Sequence, residues 1–225
     1  MAVKKILLVE GVDDEHVLKH VCGNRGVPPL DEVKNHGGID RLLDSFPVRL
    51  KASGDGAIVG VVIDADNDVA SRWRSLRDRL VGLGYEDVPD NPASDGTIID
   101  PPDKKLLPRV GIWLMPDNQS KGILEDFLRF LVPEGSRLFE RVKSSVAAIP
   151  NGERLFSQLA GPKAIIHTWL AWQEEPGKPL GTAITARYLD PDVAQVDVLV
   201  SWLNRLFFST SQDSKRQIDR ALPLE

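Results

Sequence analysis

The segment Ala57-Ile58-Val59-Gly60-Val61-Val62-Ile63 constrains the fold more than any other part of the chain. It is a continuous apolar run of strand length, rich in β-branched residues, and it stops abruptly at Asp64-Ala65-Asp66-Asn67-Asp68. A run without polar alternation suits a strand covered on both faces, which is the habit of parallel sheets. Helical spacing follows from about Val69 to Val81. Such a strand needs companions, and the sequence supplies them.

Lys4-Lys5-Ile6-Leu7-Leu8-Val9 repeats the plan at the N-terminus, ending at Glu10-Gly11 before an amphipathic stretch with Val17, Leu18 and Val21 on one face. A short strand is expected around Glu32 to His36, then a helix carrying Ile39, Leu42, Leu43 and Phe46. Gly84 to Pro108 reads as an irregular loop or hairpin in which only Thr97-Ile98-Ile99 is strand-like. Val110 to Met115 is a fourth strand, and a helix is expected from Gly122 to Leu131. This alternation predicts an α/β fold, a mostly parallel Rossmann-like sheet with helices on both faces.

Beyond Pro133 the strand signals stop. Three helical segments are expected near Arg137 to Val146, Pro162 to Gln173 and Val193 to Phe208, with a polar tail after Ser209. The expected organisation is an α/β domain over 1–132 and a helical extension packed on it over 133–225.

Ligands of parallel α/β sheets gather outside the carboxyl ends of the strands. That rule selects Glu10 after the first strand, Asp64 and Asp66 after the third, Asp117 after the fourth, and Glu125 in the helix beyond. In extended chain, residues two apart point to the same side, so Asp64 and Asp66 are expected as close neighbours. Like charges that close need a cation, and Mg²⁺, with Mn²⁺ as a substitute, prefers such hard oxygen donors. Asp68 extends the pattern, but its position before a helix also fits an N-cap.

The elements Leu7-Leu8-Val9-Glu10-Gly11-Val12-Asp13-Asp14 and Val61-Val62-Ile63-Asp64-Ala65-Asp66 together resemble the TOPRIM domain of primases, topoisomerases and nucleases. The resemblance implies that Glu10 is a general acid/base or metal ligand and that Asp64 and Asp66 bind metal. Gly122-Ile123-Leu124-Glu125 looks like an element of the OLD-family nuclease branch, which implies further acidic roles for Glu125 and Asp14. That branch also uses a downstream lysine, for which Lys163 is the candidate, neutralising a phosphate in the transition state. The expected organisation is that of a stand-alone TOPRIM protein, without the ATPase domain of full-length OLD proteins. The expected chemistry is Mg²⁺-dependent attack on a phosphodiester of DNA or RNA. Neither Tyr85 nor Tyr188 is placed for covalent strand passage.

Two other readings use the same residues. A catalytically inert module could keep the metal site for regulation or docking, and a receiver-like signalling domain could use Asp64 as phosphoacceptor. A net charge of −5 argues against a protein that coats nucleic acid nonspecifically, although clustered acids at a metal site account for several of the charges. Arg72, Arg74, Arg77 and Arg79 form either a solvated helix face or a patch for a phosphate backbone. His16 and His20 are expected to face solvent, and Trp113, Trp169, Trp172 and Trp202 to pack the core. Cys22 has no disulfide partner, and no segment reads as a membrane span or signal peptide. A cytoplasmic protein with no membrane partner is the expectation.

Overall fold

The computed structural model describes residues 3–54, 56–103 and 105–209; the polar tail lies outside them. Strands β1 (Lys5–Val9), β2 (Glu32–Asn35), β3 (Ile58–Asp64), β4 (Thr97–Ile99) and β5 (Arg109–Met115) form one sheet in the order β2-β1-β3-β5-β4. All neighbours run parallel except β4, which pairs antiparallel with β5. Helices α1 (Val12–Asn24), α2 (Ile39–Ser53) and α3 (Val69–Leu83) connect the parallel strands. The architecture is a mixed α/β, Rossmann-like sheet, with the long apolar run at its centre as β3.

The period of two along each strand sorts the core into two layers. Ile6, Leu8, Val59, Val61, Ile63, Ile112 and Leu114 face α2 and α3, where Phe46, Trp73 and Leu76 are buried. Leu7, Val9, Val62, Trp113 and Met115 face the other way. That second layer is closed by α1 together with α4 (Leu124–Phe130), α5 (Arg137–Ala147), α6 (Gly161–Ala171), α7 (Leu180–Thr185) and α8 (Ala194–Phe207). The helices after Pro133 therefore complete one face of the sheet, together with α1 and α4.

Two glycines let α8 come that close. Gly60 and Gly111 are directly paired across β3 and β5. A Cβ on Gly60 would lie 2.9 Å from Phe207 Cζ, and one on Gly111 would lie 2.3 Å from Leu206 Cδ2. The bare strip of backbone is filled by Leu206 and Phe207, both buried. Trp202, on the same helix, stacks at 5.7 Å on Trp113 and donates its indole N–H to the Thr97 carbonyl at 3.3 Å.

Trp113, Trp169 and Trp202 are buried as expected, but Trp172 is 44% exposed at the end of α6. The apolar face of α6 ends at Leu170, and Trp172, just past the last turn, has no layer to enter. His16 is exposed, whereas His20 is half-buried with its Nδ1 2.7 Å from Thr185 Oγ1 of α7. Of the arginines on α3, Arg77 pairs with Asp90 at 3.0 Å, Arg79 donates to the Leu43 carbonyl at 2.9 Å, and Arg74 remains exposed. Among the described residues, no helix is long and apolar enough to cross a membrane.

Candidate functional site

β1, β3 and β5 end at the same edge of the sheet: Val9 pairs with Val62, and Asp64 with Met115. Glu10 and Asp64 thus leave adjacent strands side by side. The backbone at Glu10 is held from the next crossover, because Gly38 N donates to the Glu10 carbonyl at 2.9 Å. Asp14, one turn into α1, turns Oδ2 back to accept from Gly11 N at 3.0 Å. Acids are favourable in that first turn, near the positive end of the helix dipole.

These three carboxylates are only partly satisfied. Glu10 Oε2, Asp14 Oδ1 and Asp64 Oδ1 are each buried without a hydrogen-bond partner. Buried polar atoms of native proteins are nearly always partnered, so three orphans of one charge sign at one strand edge need an explanation. Burial, followed by the charges of Asp14, Glu10, Asp66 and Glu125, pushes the Asp64 carboxyl up to about 9. Burial and then Glu10 push Asp14 up to about 7, against the pull of the Gly11 amide. Glu10 is also raised, by burial and then Asp66, with the Asp64 backbone amide and the Arg72 charge opposing.

Glu125, in the first turn of α4, is 3% exposed and completes the acidic side. Lys163 of α6 brings Nζ to 3.4 Å from Glu125 Oε1 and 4.0 Å from Asp13 Oδ2. His167, one turn further along α6, has Nε2 3.9 Å from the same Glu125 oxygen. The strand-end rule does not select His167, yet its spacing of four from Lys163 puts both on one helix face. That spacing was the signal that could have found it.

Asp66 departs from expectation. Its φ of 54° is left-handed, so the chain is not extended there and the two-residue alternation from Asp64 breaks down. Its carboxylate forms an ion pair with Arg72 of α3, a partner the sequence reading did not foresee. The backbone at Asp66 is fixed by a reciprocal pair with Gly122: each N donates to the other's carbonyl at 2.8 Å. Gly122 sits at φ 151°, and a Cβ there would lie 2.7 Å from Asp126 Oδ2, so this crossing needs glycine.

Asp68 and Asp117 are engaged locally. Asp68 caps α3 through Ala70 N at 3.0 Å and Ser71 N at 3.2 Å. Asp117 accepts from Gln119 N at 3.0 Å and Ser120 N at 2.6 Å, closing its own turn. A short polar side chain at a strand end satisfies the following turn as readily as a ligand, which is why the strand-end rule overreached at Asp117.

Among the described residues no three His, Cys, Asp or Glu side chains are closed around a point where an ion would sit. Asp66 is turned to Arg72 and Glu125 to Lys163. The donor chemistry nonetheless fits a hard divalent cation: all-carboxylate, with three buried oxygens lacking any partner. Arg72 and Lys163 supply the nearest positive charge.

A family model described as a protein of unknown function, DUF3226, matches residues 4–208. No curated protein and no solved structure matches the chain.

Proposed function

The chain belongs to the DUF3226 family, and from its clustered carboxylates we propose that it is a TOPRIM-like enzyme of divalent-cation-dependent phosphodiester chemistry, a nuclease of the OLD-like kind. The observation that carries this reading is the set of unpartnered buried oxygens on Glu10, Asp14 and Asp64 at one strand edge. Four or five carboxylates gathered there destabilise one another, and folding alone gives no reason to keep them. Glu10, Asp14, Asp64 and Glu125, with Asp66 once released from Arg72, would hold one or two Mg²⁺ ions, Mn²⁺ substituting. When bound, the cation supplies an activated water and stabilises charge on the attacking and leaving oxygens.

The chain's own groups do the rest. Lys163 is half-exposed beside buried Glu125, so its ammonium can reach an incoming phosphate while staying oriented by the acid. Arg72 neutralises Asp66 on the α3 side of the strand edge. Glu10, whose proton is held more tightly than an ordinary carboxyl's, suits proton exchange with water or a leaving oxygen. Leu124 and Phe127 of α4 and Ile166 of α6 are buried in the apolar layer that Glu125 borders.

The test is a titration of Mg²⁺ and Mn²⁺ into the protein and an Asp64→Ala, Asp66→Ala double variant, reading the unfolding midpoint and cleavage of plasmid, single-stranded DNA and RNA. Selective binding to the folded state raises the midpoint. The expected result is a metal-dependent rise and cleavage in the parent only. Metal binding without cleavage would favour an inert module, and a parent indifferent to both metals would remove the cation site altogether.

A further inference from the structure

We propose that the cleft beside Asp66 is a subsite for one nucleotide unit of the substrate, an assignment that rests on the phosphodiester reading of the acid cluster. The cleft encloses about 290 Å³ between Asp66, Asn67, Lys121, Gly122, Gln158 and Pro162. That is just below the roughly 300–1,000 Å³ common for small-ligand sites, a size for one nucleotide unit at most and too little for a duplex. Asp66 and Asp126 form part of its wall; Asp66 is paired with Arg72, and Asp126 accepts from Ile123 N at 3.1 Å and pairs with Arg129 at 3.3 Å, so both acids are partly offset. The floor is rigid, because the Asp66 and Gly122 backbones are tied by two hydrogen bonds of 2.8 Å.

The lining has the three chemistries a nucleotide presents. Lys121 is exposed and, among the described residues, in no ion pair. Pro162 lies in the first turn of α6, so the positive end of that helix dipole opens at the same wall. Both favour a phosphate. Asn67 and Gln158 are exposed side-chain amides, each able to donate and accept along a base edge. Leu159 and Pro162 offer an apolar surface for a sugar or base face. The neighbouring cleft of about 320 Å³, on the far side of Asp66, is less prepared: its cation, Arg72, is already committed to Asp66.

The experiment uses the full chain and its Lys121→Ala and Gln158→Ala variants. Calorimetric titration with the four deoxynucleoside 5′-monophosphates, their ribonucleoside counterparts and inorganic phosphate is run in Mg²⁺ and again in EDTA. The expected result is that monophosphates bind at least about tenfold tighter than inorganic phosphate, and that Lys121→Ala weakens all of them about tenfold, the loss of one charge-assisted contact. Gln158→Ala should alter the ranking among bases while leaving the Mg²⁺-dependent shift in unfolding midpoint unchanged. Monophosphates that bind no better than phosphate, or variants that bind like the parent, overturn the assignment. If Mg²⁺ fails to move the midpoint while monophosphates still bind through Lys121 and Gln158, the subsite stands and the reading of the acid cluster falls.

Discussion

Asp64 sets the energetics of the cluster. Its carboxyl, pushed from an ordinary 3.8 to about 9, stays protonated in the folded metal-free chain across neutral pH. The unfolded chain releases that proton above about pH 4, so stability from this group is full below that point and is lost as pH rises toward 9. Asp14 adds the same sign between 3.8 and about 7. Asp64→Asn removes the penalty. In EDTA, scanning calorimetry should find the variant no more stable than the parent near pH 4. It should gain on the order of 10 °C by pH 8, since the penalty grows by about 1.4 kcal/mol per pH unit above 4 and about 1 kcal/mol moves a midpoint by about 2–4 °C at this chain length. The same variant should lose most of the parent's rise in midpoint with Mg²⁺; a variant less stable than the parent at every pH would contradict the burial penalty, and one that keeps the full Mg²⁺ rise would contradict the metal role. Much of the site was legible at this scale because strand ends can be read from apolar runs. Glu10, Asp14, Asp64, Glu125 and Lys163 do converge. What was not legible was backbone sign: the left-handed turn at Asp66 depends on the Gly122 bridge, a contact 56 residues away in the chain.

Among the elements, strands as short as β2 and β4 and the long helices were read closely, and the shortest helix was not. The α8 expected from Val193 to Phe208 is found over Ala194–Phe207, whereas α7, six residues long, had too little periodicity to register. The six residues of α7 matter for packing: a Cβ on Gly181 would lie 2.5 Å from His20 Cδ2 and 2.9 Å from the His16 carbonyl oxygen. Gly60 and Gly111 were passed over as ordinary strand residues, since nothing local announces that a helix from the far end of the chain lies on them. Gly111→Ala tests that contact. Its Cβ would strike Leu206 Cδ2 at 2.3 Å, and overpacking of this kind costs about 1–3 kcal/mol. Thermal unfolding should shift down by several degrees, and Leu206→Ala added to Gly111→Ala should recover part of that loss relative to Leu206→Ala alone. A neutral Gly111→Ala would mean that α8 yields easily and does not define the sheet face.

For the molecule as a whole, the chain covers its sheet asymmetrically. One face is closed locally by the crossover helices α2 and α3, the other by α1 and by helices that follow Pro133. Removing residues 133–225 would bare Leu7, Val62, Trp113 and Met115 to water, together with the faces of α1 and α4 that now meet α5 to α8. Each such side chain contributes about 1.5–3 kcal/mol when buried, so the four together rival the roughly 5–15 kcal/mol that separates a domain from its unfolded state. A fragment of residues 1–132 should therefore give no cooperative thermal transition, and the full chain should unfold in one step with equal calorimetric and van't Hoff enthalpies. The consequence reaches the site, because Lys163 and the Gln158 wall of the cleft come from the same C-terminal part that completes the core. Loss of the second layer would remove fold, cation partner and cleft together. A folded, cation-responsive 1–132 fragment would instead separate the acid cluster from the C-terminal helices, and would leave Lys163 free of any part in holding the carboxylates in place.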